Sequence, residues 1–254
     1  MNNFVADDFN VQDYDNDLNI NDKINFLTTA EFKKIQPIYR GSNYVYLTVL
    51  QNNLNDRLLS IYKPIEGLME LFDFDINTLP NRELVAFEID QLLKWSIVPP
   101  IVVRDGPMGL GSVQEYVHHD PTQNYFHFVE DEENKKQLIK IAVFDLLINN
   151  ADRKGGHIIK SASGELLGID NALSFHSEKK LRTVIWDYSA QKIEKNIIED
   201  LVDLKKALHQ NKSKIQTLLS NEEMHALIER CNEIIKEPFL PSMYPWRCWP
   251  WPLI

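Results

Sequence analysis

The segment that decides the fold is NNADRKGGH at residues 149–157. The residues before it, 139–148, read IKIAVFDLLI and are apolar on nearly every side of a helix, which is typical of a buried helix. The residues after it predict a β-hairpin, with strands at 157–160 and 165–169. A polar loop with two glycines is therefore attached to rigid elements at both ends, an arrangement that suits reactive side chains.

The loop and the hairpin carry side chains suited to phosphoryl transfer. Asp152 could accept or orient the proton of an attacking hydroxyl, and Arg153 with Lys154 could neutralise charge on the transferred group. His157 and Asp170 lie at opposite ends of the hairpin, so both could face one metal ion. The alternative interpretation is structural, because Asp and Asn are common in turns, where they cap their own backbone.

Upstream of this segment the pattern is mostly that of β-strands. Predicted strands lie at residues 32–39, 44–50, 57–63, 101–104 and 112–117. A helix is predicted at 83–94, with Asn81 as its N-cap.

Lys63 ends the third predicted strand, where its ammonium group could hold the α- and β-phosphates of a nucleotide. Glu83 or Glu88 of the following helix could pair with this lysine. Glu83 also has a simpler interpretation, since an acidic residue in the first turn complements the helix dipole.

The pattern predicts an α+β fold in three parts. Residues 1–28 form an acidic, mobile arm, residues 29–117 a β-rich N-lobe with one helix, and residues 118–254 a mainly helical C-lobe. The C-lobe contains the hairpin, two or three helices at 197–236, and a tail rich in Trp and Pro at 244–254.

Some conspicuous residues are predicted to be structural. Asp145 lies inside the apolar helix and is expected to hydrogen-bond to the loop, because an unpaired buried carboxylate costs several kcal/mol. Trp246, Trp249 and Trp251 are expected to pack the tail onto the rest of the chain. The alternative is an exposed aromatic patch for a partner.

Composition excludes several functional classes. The formal net charge of −10 argues against nucleic-acid binding. No apolar run approaches the 18 or more residues that a membrane-spanning helix needs, and no secretory signal is visible at the N-terminus. Cys231 and Cys248 are expected to be reduced, and the predicted location is cytoplasmic.

Six motifs occur in an order that resembles the phosphatidylinositol 3-/4-kinase-like family, most of all the type II phosphatidylinositol 4-kinases and a bacterial family of that branch. The resemblance covers residues 40–182. The motifs are GSN at 41–43, IYKP at 61–64, VPP at 98–100, GSVQEYV at 111–117, the segment 145–159, and GIDNALSF at 168–175.

The resemblance implies a bilobal protein-kinase-like fold and an ATP-dependent transfer of the γ-phosphoryl group to a hydroxyl. It implies that Asp152 is the catalytic aspartate, that Lys63 and Arg153 assist it, and that His157 and Asp170 hold Mg²⁺ or Mn²⁺. The implied nucleotide-binding residues are Ser42, Asn43, Lys63, Glu83, Glu115, Tyr116 and Val117, with the backbone of 115–117 meeting the adenine.

The sequence departs from the type II family in ways that bear on function. His157 replaces an asparagine, and imidazole suits Mn²⁺ better than Mg²⁺. Ala172 replaces a glycine, and the cysteine-rich palmitoylation segment is missing. We therefore expect the acceptor to be a protein or a small molecule rather than a phosphoinositide. The alternatives are a nucleotide-binding pseudokinase that acts as an interaction module, and transfer of AMP on the same scaffold.

Overall fold

The structure is a computed structural model that describes residues 18–38, 44–210, 214–245 and 247–254. The described residues form two compact units, the first within residues 18–80 and 100–116, the second within residues 81–99 and 117–254. The predicted α+β class is confirmed, because the first unit contains a β-sheet and the second is mainly helical. The predicted boundary at residue 117 is close to the observed one, but residues 81–99, which we expected in the N-lobe, belong to the second unit.

The first unit is a five-stranded antiparallel sheet with one helix. Its strand order is β1-β2-β3-β5-β4. The elements are α1 (Ile20–Thr29), β1 (Glu31–Ile38), β2 (Val45–Gln51), β3 (Arg57–Pro64), β4 (Ile101–Gly106) and β5 (Gly109–Glu115). All five predicted strands are present, although β5 begins three residues earlier than predicted.

Helix α1 corrects the expectation that residues 1–28 are a mobile arm. The side chain of Asn19 caps the helix by accepting from the backbone N–H groups of Asn21 and Asp22. Phe26 and Leu27 are buried in the same apolar cluster as the sheet. The acidic composition of this segment led to the wrong prediction, because it includes an amphipathic helix. Residues 1–17 of the predicted arm lie outside the described residues.

The sheet has one apolar face against α1 and another on its opposite side. Leu50 and Leu58 join the cluster with Phe26, whereas their neighbours Val49 and Leu59 form a second cluster. This division follows from the period of two along a strand, which sends successive side chains to opposite faces. Arg104 ties the end of α1 to β4 by donating to the carbonyl oxygens of residues 28 and 30, at 3.2 and 2.8 Å.

Strand β5 lies against the end of β3 that carries Lys63, and this contact requires a glycine. Lys63 pairs with Ser112, and Pro64 pairs with Gly111. A Cβ atom on Gly111 would lie 2.4 Å from the carbonyl oxygen of Lys63. Any side chain here would therefore force β5 away from β3.

Replacement of Gly111 by Ala is expected to destabilise the protein by about 1–3 kcal/mol, because overpacking shifts the backbone. Urea unfolding measures the change. The neighbouring Leu110 has an exposed side chain, so Leu110→Ala serves as the control and should change stability by about 0.5 kcal/mol or less. Equal stabilities for the two variants would contradict the contact.

The second unit is mainly helical and holds the predicted hairpin. Its elements are most of α2 (Leu79–Leu93), α3 (Tyr125–Phe128), α4 (Lys135–Ile148), β6 (Ile158–Lys160), β7 (Leu166–Gly168), α5 (Lys195–His209), α6 (Ile215–Leu218) and α7 (Asn221–Lys236). Helix α4 is buried along most of its length and packs against α7 and β7, as the apolar pattern predicted. No helix among the described residues is long and apolar enough to cross a membrane.

The predicted start of α2 was wrong, because a short turn precedes the helix. A 3₁₀ turn at Ile76–Thr78, capped by Asp75, runs directly into α2, so Asn81 lies inside the helix and is not its N-cap. Residues 132–134 likewise form a 3₁₀ turn before α4. The short turns satisfy the first backbone N–H groups, which a cap residue would otherwise do.

Asp90 of α2 fixes the turn that follows the helix. Its buried carboxylate accepts hydrogen bonds from the backbone N–H groups of Ile97 and Val98, at 3.1–3.2 Å. Burial raises the pKa of Asp90 to about 6, although the two N–H groups and Lys140 oppose that shift. Between about pH 4 and pH 6 the folded protein therefore holds a proton that the unfolded chain has released.

The free energy of unfolding of the wild type, relative to Asp90→Asn, is expected to fall by about 2–3 kcal/mol as the pH rises from 4 to 7. The sign follows because the folded state binds more protons than the unfolded state within this interval. Urea unfolding of both proteins at several pH values measures the difference, in which all other titrating groups cancel. A difference that does not change with pH would contradict the raised pKa.

The tail is attached to the second unit, as predicted, but not through every tryptophan. The carbonyl of Cys248 accepts from the backbone N–H of Thr183 at 3.1 Å and from the indole of Trp186 at 3.3 Å. Trp249 packs against the buried cluster that contains Trp186 and Cys248. Trp251 is exposed, so the packing role expected for it is wrong. Trp246 lies outside the described residues. Both cysteines are buried free thiols, in line with the expected reduced state.

Candidate active site

The predicted reactive loop begins where α4 ends, at Asn149. Asn149 adopts a left-handed conformation (φ 56°), which stops the helix. Its side-chain amide donates to the carbonyl oxygens of His176 and Glu178 at 2.9 and 2.7 Å, and its oxygen accepts from the N–H of Lys180 at 2.9 Å. One buried side chain therefore fixes both the helix end and the segment after the hairpin.

A buried ion pair between Arg153 of the loop and Asp145 of α4 anchors the loop. The guanidinium of Arg153 donates to both carboxylate oxygens of Asp145 at 2.8–3.0 Å, and both side chains are completely buried. The hydroxyl of Thr183 also donates to Asp145, at 3.3 Å. The structural role predicted for Asp145 is confirmed. The charge-neutralising role predicted for Arg153 is not supported, since its side chain is buried and directed into the protein.

Arg153 connects the loop to the segment that follows the hairpin. It donates to the carbonyl of Ile169 at 2.6 Å and to the side-chain oxygen of Asn171 at 2.5 Å. An added Cβ on Gly168 would lie 3.2 Å from its guanidinium, so this position favours glycine. The residues on both sides of Asp170 are thus held by one side chain, which makes Arg153 a positioning residue.

Asp152 is placed at the edge of this framework. Its backbone N–H donates to the side-chain oxygen of Asn150 at 2.9 Å, and Lys154 Nζ lies 3.2 Å from its carboxylate. Burial raises the pKa of Asp152 to about 6, while Lys154 opposes the shift and Asp170 adds to it. The carboxylate is partly exposed (25%), as a group that must meet a substrate has to be.

His157 and Asp170, predicted as metal ligands, are brought together. The Nε2 atom of His157 lies 3.3 Å from the carboxylate of Asp170. The Nδ1 atom lies 3.0 Å from the carbonyl oxygen of Asp152 and 3.4 Å from the backbone nitrogen of Lys154. With the proton on Nδ1, the ring donates to the nearer carbonyl and the Nε2 lone pair faces the carboxylate. Two ligands at about 2.1 Å from one cation lie about 3 Å apart, which matches this separation.

His157 and Asp170 supply only two ligands, so they fit a cation whose other ligands come from the substrate and from water. The described residues contain no group of three or more His, Cys, Asp or Glu that could hold a metal ion. An imidazole nitrogen and one carboxylate suit Mn²⁺, with the remaining positions filled by phosphate and water.

The turn after the hairpin is strained at Asp170 and not at Ala172. Asp170 has a φ of 59°, in the left-handed region that non-glycine residues seldom adopt, whereas Ala172 is not among the residues with positive φ. The loss of glycine at 172 therefore imposes no backbone penalty. The bonds of Arg153 to the residues on either side of Asp170 hold this conformation in place.

The other predicted residues are distributed over both units. Lys63 is half-buried near the end of β3, and Glu115 ends β5 in an ion pair with Lys23 at 2.6 Å. The backbone N–H groups of Glu115 and Tyr116 donate to carbonyls of the same unit. Ser42 and Asn43 lie outside the described residues.

In the second unit, Glu83 of α2 is buried (3% exposed), whereas Glu88 is half-buried. The backbone carbonyl of Val117 lies 2.7 Å from Nδ1 of His119, so it has a ring partner within the second unit.

Sequence reasoning did not find Arg82, which is next to Glu83 on α2. Its buried guanidinium donates to the carbonyl of Ser174 at 2.6 Å and pairs with Glu223 of α7. The capping box of α7, formed by Ser220 and Glu223, was a visible signal for one end of this interaction. The pairing itself could not be predicted, because the two partners are 141 residues apart in sequence.

No family model matches this chain. Protein Rv2133c of Mycobacterium tuberculosis (strain ATCC 25618 / H37Rv) is 32% identical over 261 residues, which cover 89% of this chain and 93% of that protein. The chain belongs to the Rv2133c family.

Solved structures show which fold this member of the Rv2133c family has. The Golgi casein kinase with Mn/ADP bound superposes with a TM-score of 0.53 at 15% identity, over 85% of this chain and 74% of that chain. Hydra Fam20 with sugar gives 0.52 at 17% identity, over 88% and 90%. The predicted kinase-like fold is therefore confirmed.

Replacement of Arg153 by Met is expected to lower the free energy of unfolding by about 3–5 kcal/mol, because it leaves the carboxylate of Asp145 buried without its partner. The exposed pair of Lys206 and Asp203, 2.8 Å apart, provides the control. Lys206→Met should change stability by about 0.5 kcal/mol or less. Urea unfolding at pH 7 measures both, and an equally small loss in both would contradict the role of the buried pair.

Proposed function

We propose that this member of the Rv2133c family is an ATP-dependent phosphotransferase that moves the γ-phosphoryl group to a hydroxyl. The observation that carries the proposal is the group formed by Asp152, His157 and Asp170 on one framework, within a chain whose fold is that of a kinase. A carboxylate beside a two-ligand cation site is what phosphoryl transfer from a metal-bound nucleotide requires.

Asp152 is the group that meets the acceptor. Its carboxylate accepts the proton of the acceptor hydroxyl as the oxygen attacks the γ-phosphorus, and the bond from that phosphorus to the bridging oxygen of ADP breaks. Lys154, 3.2 Å from Asp152, supplies the positive charge on this loop that we had also assigned to Arg153. Arg153 contributes by holding the loop rather than by touching phosphate.

His157 and Asp170 would hold the divalent cation. When bound, the cation would offset the negative charge of the triphosphate. The imidazole ligand leads us to propose Mn²⁺ at least as readily as Mg²⁺.

The remaining nucleotide contacts are assigned by the resemblance to the phosphatidylinositol 3-/4-kinase-like branch. Lys63 would hold the α- and β-phosphates, and Glu83 would pair with Lys63. Since the N–H groups of Glu115 and Tyr116 are already used, we assign the adenine to the carbonyl of Glu115 and the N–H of Val117.

Replacement of Asp152 or Asp170 by Asn is expected to reduce transfer of label from γ-labelled ATP by about 10²–10⁴-fold, since each change removes a group used in the reaction. Thermal unfolding should stay close to that of the wild type, because both carboxylates are partly exposed. Purified protein with Mg²⁺ or Mn²⁺ is incubated with labelled ATP, and label is followed into protein, lipid and water.

Asp203→Asn is the control, as it removes an exposed carboxylate of α5 and should retain transfer. Wild-type transfer by both active-site variants would reject the proposal. Stabilisation by ATP without any transfer would point to a pseudokinase. The intact mass of the acceptor separates phosphate, about 80 Da, from AMP, about 329 Da.

A further inference from the structure

The tail lies directly against the loop that carries Asp152. The backbone N–H of Gly155 donates to the carbonyl of Leu253 at 2.7 Å. A Cβ atom on Gly156 would lie 3.8 Å from the side chain of Ile254, which is van der Waals contact. At its other end the tail is bonded, through the carbonyl of Cys248, to Thr183.

Between and beyond these attachments the tail presents apolar side chains to solvent. Trp251 is 79% exposed, Ile254 65% and Leu253 38%. Exposed apolar groups that lie close together in a segment fixed to a reactive loop are unusual, because they gain nothing from folding alone. Pro250 and Pro252 restrict the backbone of the segment, so little entropy is lost when it binds a partner.

We propose that Trp251, Leu253 and Ile254 form the acceptor-docking surface of the enzyme, and that the acceptor is a protein segment with a bulky apolar side chain near its hydroxyl residue. The inference rests on the proposed function, since it assigns the substrate class of the same site. The bond from Gly155 to Leu253 places this surface three residues along the loop from Asp152.

A protein segment fits this surface better than the other acceptors. A small polar acceptor would leave the three apolar side chains in water, whereas an apolar side chain of a peptide would cover them. An anionic bilayer is attracted by several basic residues, but Arg247 is the only one between residues 243 and 254. Residues 249–254, which carry the three exposed apolar side chains, contain no basic residue, and the cation beside the tail is Lys179, 5.7 Å from the centre of the Tyr244 ring. The docking surface itself therefore has the apolar character of a peptide-binding surface.

The test measures a preference and not an overall rate. Serine and threonine peptides carrying either Gly or one of Leu, Phe and Trp at each flanking position are phosphorylated with γ-labelled ATP. We expect the wild type to prefer the apolar peptides by about 10-fold or more, which corresponds to one buried side chain. In Trp251→Ala and in Ile254→Ala the ratio of apolar to glycine peptides should fall towards one.

Phe72 provides the matched control, as it is a fully exposed aromatic side chain in the first unit. Phe72→Ala should keep the wild-type ratio. An apolar preference that is absent, or that survives loss of Trp251, overturns the docking surface while leaving phosphoryl transfer intact.

A binding assay separates the two proposals. The same peptides are immobilised and probed with fluorescently labelled full-length protein. Apolar preference that depends on Trp251, without phosphorylation of any peptide, supports the docking surface and counts against the kinase activity. Binding that depends on Trp251 to vesicles of phosphatidylcholine and phosphatidylserine, with no peptide preference in either assay, overturns the docking surface in favour of a lipid.

Discussion

The candidate active site depends on the buried pair of Asp145 and Arg153. Removing two charges from water is costly, and the cost is offset here because the guanidinium meets both carboxylate oxygens and also donates to the carbonyl of Ile169 and the side chain of Asn171. Those acceptors flank Asp170, and the backbone of Arg153 is next to Asp152. One side chain therefore sets the spacing between the proposed base and the proposed metal ligand, and this explains how Asp170 keeps a left-handed backbone.

Local patterns in the sequence were enough for the strands, for the buried helix α4 and for the meeting of His157 with Asp170. The alternation of side chains along β2 and β3 and the apolar residues on all sides of α4 each correspond directly to the side chains that are buried. The pairing of His157 and Asp170 followed from their places at the two ends of a short hairpin, where chain geometry leaves little choice.

The failures were cases in which distant parts of the chain decide the outcome. Arg153 looked like a phosphate ligand because it lies beside Asp152, and only its contacts across 16 and 18 residues reveal that it points inward. Trp249 and Trp251 lie in the same Trp- and Pro-rich segment, yet Trp249 is packed and Trp251 is exposed. The pair of Arg82 and Glu223 joins residues far apart in sequence, for which no local pattern exists.

Helix α1 has a consequence for how the protein is handled. The residues before Glu31 look dispensable by composition, but Phe26 and Leu27 cover one side of the sheet, and Lys23 neutralises Glu115 at the end of β5. A chain that begins at Glu31 would expose the apolar face of the sheet that α1 covers. It would also leave Arg104 without the carbonyls of residues 28 and 30. Shortened versions intended for crystallisation should therefore retain everything from Asn19 onward.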